Sequence, residues 1–323
     1  MSQESPDVWQ HQPGRPLVFN HLPKTAGTAL SEAIVAATSP ARVVHGLDGV
    51  VFGDFDQVDT IHRRVRDAVI IAPEDIAPDA EYVTGHVAPS TTRARFPDGW
   101  HMTVLREPRT RLLSLWLFAR TRPGRWSRSW GAYSDLVLAA GKPLQDYLTD
   151  PHALLATDNM LTRMMLWPHP LIEKDRFIDE AHDDQLLDEA RSRLATFDFV
   201  GVVEDPAMTS KLGAALGVAL DVHRRQENAP LPTDRRPDLR AEVARAANDI
   251  ARCTRLDEVL WREAYAANVS GTDPVAAADA AYEKALERYV ALTHGPPPPG
   301  TLSILMGRAG RVIMGAARSR RDR

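Results

Sequence analysis

Short apolar runs alternate with segments whose apolar residues recur at helical spacing, mainly before residue 220. The apolar runs predict strands, and the spaced apolar residues predict helices. Strands that lead into helices in this way are typical of a parallel sheet with crossover helices. The sequence therefore predicts an α/β fold. Strands are predicted over 16–20, 81–86, 101–106 and 197–204, and helices over 28–37 and 108–120.

The rest of the chain is predicted to be mainly helical. Residues 40–80 mix short apolar runs with charge and proline, whereas 127–197 are mostly helical in pattern. A polar loop at 223–238 precedes two long helical segments at 239–268 and 274–292. No internal repeat interrupts this order.

Three segments follow from this pattern. We predict a flexible N-terminal arm over 1–16, one domain over 17–293, and a proline spacer with a basic tail over 294–323. In the tail, apolar residues at helical spacing are interspersed with six arginines. Such a helix would lie on an anionic membrane surface and give peripheral contact with the inner face of the membrane. A disordered or self-packed tail is the alternative.

Charge and cysteine content exclude several classes. A formal net charge of −4 over 323 residues disfavours a nucleic-acid partner. The polar amino terminus lacks the apolar core of a secretory signal, and no run of about 18 apolar residues is present to span a bilayer. The single cysteine, Cys253, excludes an intramolecular disulfide and is predicted to be an inert buried thiol. We expect a cytoplasmic protein.

The segment LVFNHLPKTAGTAL, residues 17–30, joins a predicted strand to a predicted helix through a tight turn. Unpaired N–H groups at the positive end of such a helix form an anion site. Gly27 would let the backbone approach a ligand, and Lys24 would add a point charge. Thr25 and Thr28 would add hydroxyl donors. The alternative is a capped helix whose lysine points to water.

A second strand-to-helix segment, TVLREPRTRLLSLW, follows about eighty residues later. Arg106 ends the strand, Arg111 lies early in the helix, and Ser114 follows one turn later. An arginine fork and a serine hydroxyl in this arrangement would hold a second phosphate. The alternative is an exposed Arg111 and a Ser114 without a role.

Together the two segments resemble the sulfotransferases that use 3'-phosphoadenosine 5'-phosphosulfate (PAPS), in the branch of carbohydrate sulfotransferases and soluble bacterial relatives. The resemblance implies a three-layer P-loop-like fold with a central parallel sheet and helical additions. It implies that the first motif holds the 5'-phosphosulfate and the second the 3'-phosphate. The first motif maps onto Pro23, Lys24, Thr25, Ala26, Gly27 and Thr28, and the second onto Leu105, Arg106, Pro108, Arg111 and Ser114.

Two residues are predicted to be catalytic. Lys24 would neutralise charge on the leaving phosphate, since the protein mainly positions groups and stabilises developing charge in such a transfer. His86, in YVTGHVAPS, would be the base for the acceptor, and a Gly-His at a comparable place in related enzymes favours it. A histidine that merely satisfies a backbone carbonyl is the alternative, with Glu32 and His21 as reserve bases. The histidines show no metal-ligand spacing, so no metal is expected.

Acceptor-binding residues are sought in two helical segments. Asn159 and Arg163 lie four apart and would share a helix face toward the cofactor or acceptor, unless they are a surface pair. The arginine- and tryptophan-rich stretch 116–130, with Trp116 and Arg120, would form an acceptor lip for a glycan or acidic glycolipid. An amphipathic helix followed by a solvated loop is the alternative.

The sequence thus predicts sulfuryl transfer from PAPS to a hydroxyl acceptor, a carbohydrate or glycolipid, with adenosine 3',5'-bisphosphate as product. A nucleotide-dependent kinase is one alternative, although the lysine here precedes the glycine, whereas a P-loop glycine run precedes Lys-Ser/Thr. A catalytically silent relative that binds an adenosine bisphosphate is the other.

Overall fold

The computed structural model describes residues 9–10, 12, 14–121, 124–222 and 236–294. Over these residues it has an α/β fold with one sheet of five parallel strands, in the order β2-β3-β1-β4-β5. The α/β prediction is confirmed. The strands are β1 (Leu17–Asn20), β2 (Val43–Leu47), β3 (Tyr82–His86), β4 (Trp100–Leu105) and β5 (Phe199–Val202).

Helices surround this sheet and make up most of the described chain. The apolar run at 68–73 forms a single bridge, between Val69 and Leu47, and is not a strand. The predicted helix over 239–268 is divided at Ala246, where the backbone leaves helical geometry. The helices are α1 (Gly27–Thr38), α2 (Gly49–Phe52), α3 (Arg63–Arg66), α4 (Pro89–Arg95), α5 (Pro108–Arg120), α6 (Gly124–Arg128), α7 (Asp135–Leu138), α8 (Leu144–Thr149), α9 (Leu154–Thr157), α10 (Met160–Leu166), α11 (Asp183–Leu194), α12 (Met208–Leu216), α13 (Leu239–Arg245), α14 (Ala247–Asn268) and α15 (Pro274–His294).

The central strand β1 is buried on both faces, which explains its continuous apolar run. Leu17 and Phe19 pack with α1 and α12 on one face, whereas Val18 packs toward α4 and Phe96 on the other. Successive strand side chains point to opposite faces, so each face receives its own apolar set. Helices therefore cover both faces of the sheet.

The strand order brings three carboxyl ends together. β1 lies between β3 and β4, so the loop after Asn20, the end of β3 at His86 and the residue after β4, Arg106, meet at one edge. Ligand sites of open α/β sheets lie at such an edge.

Helix α15 packs on α5, α13 and α14 through a buried apolar cluster. Leu286 and Tyr289 of α15 join Leu112 and Leu113 of α5 in this cluster, and Cys253 of α14 lies in it too. Burial raises the pKa of the Cys253 thiol to about 12, which agrees with an unreactive thiol. The C-terminal part of the described chain is thereby attached to the helix that follows β4.

The ends of the chain bear on two predictions. The backbone N–H of Trp9 donates to the carbonyl of Ala215 at 2.8 Å, and its side chain packs on the core. Part of the predicted arm therefore contacts the domain. The proline spacer beyond His294 and the basic tail lie outside the described residues, as does Arg122 of the predicted acceptor lip. Among the residues that are described, no helix combines the length and apolar character that crossing a membrane needs.

Candidate active site

The loop between β1 and α1 has the backbone shape of an anion cradle. Lys24 and Ala26 adopt left-handed conformations, with φ of 71° and 62°. In the described chain, the N–H groups of Thr25, Ala26, Gly27 and Thr28 donate to no backbone carbonyl. Successive free N–H groups at a left-handed turn and a helix start attract anions. The predicted anion loop is therefore present in backbone form, with Pro23 partly buried at its start.

The two threonines of this loop have different roles. Thr25 is fully buried and donates its hydroxyl to the carbonyl of Leu22 at 2.8 Å. Its proton stabilises the turn, so the prediction that Thr25 donates to a ligand is wrong. Thr28 is exposed in the first turn of α1 and keeps its hydroxyl at the surface of the loop.

Gly27 is required by a neighbour within the protein. A Cβ at this position would lie 1.9 Å from the Cδ2 and Nε2 atoms of His21. We predicted that the glycine allows a ligand to approach, but its space is filled by the His21 ring. The ring of His21 lies 4.8 Å from that of His86, between centroids. Gly27 therefore allows His21 to pack beside His86.

The Lys24 ammonium lies over an aromatic ring of α5. Its Nζ atom is 3.9 Å from the ring centroid of Phe118. A cation above an aromatic face is stabilised by the ring quadrupole. Phe118 follows Ser114 by four residues and lies on the same face of α5, so the second motif's helix positions the lysine of the first.

Arg106 connects the two predicted motifs. Its Nη1 donates to the carbonyl of Lys24 at 3.0 Å, and its Nη2 donates to the hydroxyl of Tyr289 at 3.2 Å. Its Nε is buried and has no hydrogen-bond partner among the described residues. A buried unpaired N–H is costly, and a ligand oxygen is one way to satisfy it.

Ser114 and Tyr289 complete the surroundings of Arg106. Ser114 is buried on α5 near the Tyr289 hydroxyl, where its own hydroxyl lowers the pKa of Tyr289. Arg288 also donates to this hydroxyl, at 3.3 Å. Burial alone would raise the pKa of Tyr289, but Arg106, Ser114 and Arg288 together bring it below its ordinary value.

His86 is held in one tautomer. Its Nδ1 lies 2.7 Å from the carbonyl oxygen of His21, and because a carbonyl only accepts, Nδ1 carries the proton. In the neutral ring Nε2 then holds a lone pair, and it has no hydrogen-bond partner in the described chain. Burial lowers the pKa of His86, Lys24 lowers it further, and the bond to His21 opposes both. The ring is therefore neutral near pH 7, as a base requires.

Arg111 does not lie at the phosphate site, contrary to prediction. Its guanidinium is buried in the core and donates to the carbonyl of Ala156 at 3.3–3.4 Å, beside the sulfur of Met160. Burial lowers its pKa, which Asp257 partly offsets. Arg111 points away from the sheet edge because it lies on the buried face of α5 that packs on α14.

Asn159 and Arg163 form part of a buried network. The side-chain oxygen of Asn159 accepts a hydrogen bond from the backbone N–H of Leu256, and its side-chain amide donates to Asp158. Arg163 forms a buried ion pair with Asp158 and donates to the carbonyl of Glu173. Both side chains are no more than 1% exposed. The prediction that they bind the acceptor is wrong, because their polar atoms connect α10 to α14 and to the segment that follows α10.

Trp116 and Arg120 are also structural. Trp116 is buried in the cluster around α5 and donates its Nε1 to the carbonyl of Lys142. Arg120 lies over the Trp116 ring and donates to the carbonyls of Ala140 and Gly141. These side chains fix the end of α5 to the following segment. The predicted acceptor lip therefore does not include them.

A cavity of about 660 Å³ lies beside the anion loop, between α1 and the ends of β2 and β3. His21 and Thr28 line it next to the loop, and Glu32, His45 and Asp221 add titratable groups. Burial lowers the pKa of His21 well below its ordinary value, and the neighbouring His86 and Lys24 lower it further. Its buried Nε2 has no partner in the described chain. Both reserve bases, Glu32 and His21, thus line the cavity.

The remaining polar groups at the edge stabilise the fold. Glu204, after β5, accepts from the N–H of Glu107 at 3.1 Å and from the Nε1 of Trp261. Burial raises the pKa of Glu204, whereas the bond from Glu107 and the charge of Arg106 oppose the rise. Within the described residues, no three His, Cys, Asp or Glu side chains are grouped as metal ligands.

The sequence analysis missed Phe118, Tyr289 and Arg288. The sequence could have indicated Phe118, because it follows Ser114 by one helical turn. Arg288 and Tyr289 had none, because their place depends on how α15 packs on α5.

Comparison of the sequence with protein-family models gave no match, and comparison with curated proteins gave none either.

Proposed function

We propose that this chain transfers a sulfuryl group from PAPS to a hydroxyl acceptor by in-line displacement, with adenosine 3',5'-bisphosphate as product. The bridging position of Arg106 is the observation that supports it most. One guanidinium contacts the lysine of the anion loop and the hydroxyl cluster of Ser114 and Tyr289. Two anion sites joined by one side chain fit the two phosphate ends of a single nucleotide. A P-loop-like sulfotransferase fold is part of this proposal.

The unsatisfied polar groups of the site fit such a nucleotide. The N–H groups of Thr25 to Thr28 suit the 5' end, and the buried Nε of Arg106 suits an oxygen nearer the 3' end. Hydrogen bonds to charged oxygens are stronger than those to neutral ones, so these groups gain from a phosphate ligand.

Lys24 would act on the charge that develops on the leaving phosphate. Its Nζ atom lies 3.9 Å from the ring centroid of Phe118, and this contact positions the cation at the anion loop. When bound, the nucleotide would supply the sulfuryl group and the leaving phosphate. A preorganised cation stabilises charge in the transition state more than in the ground state, and this difference accelerates the reaction.

His86 would take the proton from the acceptor hydroxyl. The carbonyl of His21 fixes the proton on Nδ1, so Nε2 is the basic atom. The same contact orients the ring, and the lowered pKa keeps it unprotonated at neutral pH. This is the arrangement that general base catalysis needs.

The acceptor would enter through the cavity beside His21. Its volume of about 660 Å³ is within the usual range of small-molecule sites. The carboxylates of Glu32 and Asp221 line it, and no lysine or arginine is among its lining residues in the described chain. The proposed acceptor is the hydroxyl of a carbohydrate or glycolipid.

The direct test is turnover. The protein is incubated with PAPS and a panel of neutral and acidic sugars and glycolipids, and release of adenosine 3',5'-bisphosphate is measured. We expect acceptor-dependent release that Lys24→Ala lowers at least about 100-fold, since removing one stabiliser of developing charge has an effect of this order. Lys284→Ala, which removes an exposed lysine of α15, is the matched control. Tight nucleotide binding without release for any acceptor would instead indicate a silent binding protein.

A further inference from the structure

The Tyr289 hydroxyl has an unusual set of neighbours for a neutral oxygen. Arg106 and Arg288 donate to it at 3.2 and 3.3 Å, and Ser114 is near enough to lower the pKa of Tyr289. Tyr289 is only 1% exposed and lies inside the protein, whereas Arg288 is an exposed residue. Two guanidinium groups are brought to one point where the described residues supply a phenol and a serine hydroxyl.

No carboxylate of the described chain fully neutralises the positive charge of Arg106 and Arg288. Neither Arg106 nor Arg288 forms an ion pair with a carboxylate in the described chain. Glu204 interacts electrostatically with Arg106, but it accepts its hydrogen bonds from Glu107 and Trp261. Two cations near two hydroxyls, without a paired anion, match the charge and the donors that a phosphate dianion requires.

The origin of the second cation differs from the sequence-based expectation. Arg111 is turned into the core and cannot serve this site. Arg288 comes from α15, whose position is fixed by apolar contacts of Leu286 and Tyr289 with α5. Its guanidinium also lies over the Tyr289 ring, with Cζ 5.0 Å from the ring centroid. Helix α15 thus supplies the second cation, which Arg111 of the second motif does not provide.

We infer that Arg288 and Tyr289 of α15 form the outer half of the subsite for the nucleotide's 3'-phosphate, opposite Arg106 and Ser114, and that they select nucleotides bearing this phosphate. This inference rests on the proposed function. The Tyr289 hydroxyl donates to a phosphate oxygen once an anion is bound, and Arg288 supplies the second positive charge. Docking of α15 and binding of the 3'-phosphate then stabilise each other.

The test compares two nucleotides by calorimetry, adenosine 3',5'-bisphosphate and adenosine 5'-phosphate, which lacks only the 3'-phosphate. Arg288→Gln is expected to weaken binding of the bisphosphate about tenfold, the scale of one charge-assisted hydrogen bond, and Tyr289→Phe about fivefold. Neither variant should change affinity for adenosine 5'-phosphate. Lys284→Gln removes the same charge one turn earlier on α15 and should leave both affinities unchanged.

Thermal unfolding of each variant checks that α15 remains folded. An equal loss for both nucleotides would show a purely structural role and overturn the inference, as would unchanged bisphosphate affinity in Arg288→Gln and Tyr289→Phe. Wild-type protein that binds neither nucleotide would refute the proposed function itself. That result is distinct from one in which the wild type discriminates and the variants retain the discrimination.

Discussion

The Nη1 of Arg106 donates to the carbonyl oxygen of Lys24 at 3.0 Å. The residue after β4 therefore braces the loop after β1, and the two segments that the sequence places about eighty residues apart form one site. A planar guanidinium can hold this carbonyl and the Tyr289 hydroxyl at once, whereas an ammonium on a flexible stem cannot reproduce the fork.

Arg106→Lys should therefore weaken nucleotide binding at both ends. We expect at least about a tenfold loss for adenosine 3',5'-bisphosphate, and a smaller loss for adenosine 5'-phosphate because the loop loses its brace. Calorimetry measures both. Arg128→Lys, at an exposed position in α6, is the control. Unchanged affinity for both nucleotides in Arg106→Lys would contradict the bridging role.

His86→Asn should separate catalysis from binding. The asparagine amide can still donate to the His21 carbonyl, but it offers no basic nitrogen. Turnover should fall about 100-fold or more, while nucleotide affinity stays the same. His62→Asn, in an exposed histidine that caps α3, should have no effect. Full activity in His86→Asn would move the base to Glu32 or His21.

The pH profile of the wild type gives a second test of His86. Because burial, with Lys24, lowers the pKa of His86, the basic form persists below the ordinary pKa of 6.5. The rate should rise with pH to a midpoint below 6.5 and then stay level. In His86→Asn the residual rate should lose this transition. A midpoint above 6.5 would be inconsistent with a buried neutral base.

Gly27→Ala should act through His21. The added Cβ would overlap the His21 ring, at 1.9 Å, so we expect a loss of about 1–3 kcal/mol in the free energy of unfolding and weaker nucleotide binding. Gly141→Ala, where no atom lies within 4 Å of the new Cβ, is the control. The loss in the free energy of unfolding caused by Gly27→Ala should disappear when His21 is also changed to alanine. If it does not, the glycine is needed for another reason. Denaturant unfolding provides the measurement.

His101 should make the fold sensitive to acid. Its ring is fully buried, and burial lowers its pKa to about 4. The unfolded chain binds the proton near pH 6.5, so the stability is complete above 6.5 and is lost as the pH falls toward 4. The difference between these two pKa values corresponds to roughly 3 kcal/mol in the free energy of unfolding.

His101→Gln keeps a donor for the Phe96 carbonyl and removes this titration. The free energy of unfolding of the variant should fall by about 2 kcal/mol less than that of the wild type between pH 7 and pH 4.5. Denaturant unfolding at the two pH values decides this. An equal fall in both proteins would assign the acid sensitivity to other groups.

Four of the five strands, all but β2, and the two strand-to-helix junctions could be predicted from sequence because they depend on local pattern. Pro108 lies in the first turn of α5, and Glu107 caps that helix through its carboxylate. The side chains of α5 and α10 were harder to place. The sequence shows that Asn159 and Arg163 share a face, but not whether that face meets a ligand or another helix.

Positive charge alone does not identify the ligand site either. Arginine side chains hold anionic groups, and Arg111, Arg163 and Arg120 are therefore expected at the ligand site. Each is instead held by backbone carbonyls or by a buried carboxylate. Ala156, the partner of Arg111, lies 45 positions away in sequence, and Gly141, a partner of Arg120, lies 21 positions away, so packing brings these pairs together. Tyr289 reaches Arg106 for the same reason, across 183 positions of the chain.

The most direct test of a two-site nucleotide cradle is the affinity of the wild-type protein for three ligands: adenosine 3',5'-bisphosphate, adenosine 5'-phosphate and adenosine 3'-phosphate. If the loop after β1 holds one phosphate and Arg106 with Ser114 holds the other, calorimetry should show the bisphosphate binding at least about tenfold more tightly than either monophosphate. A bisphosphate that binds no more tightly than its monophosphate counterparts would contradict the account.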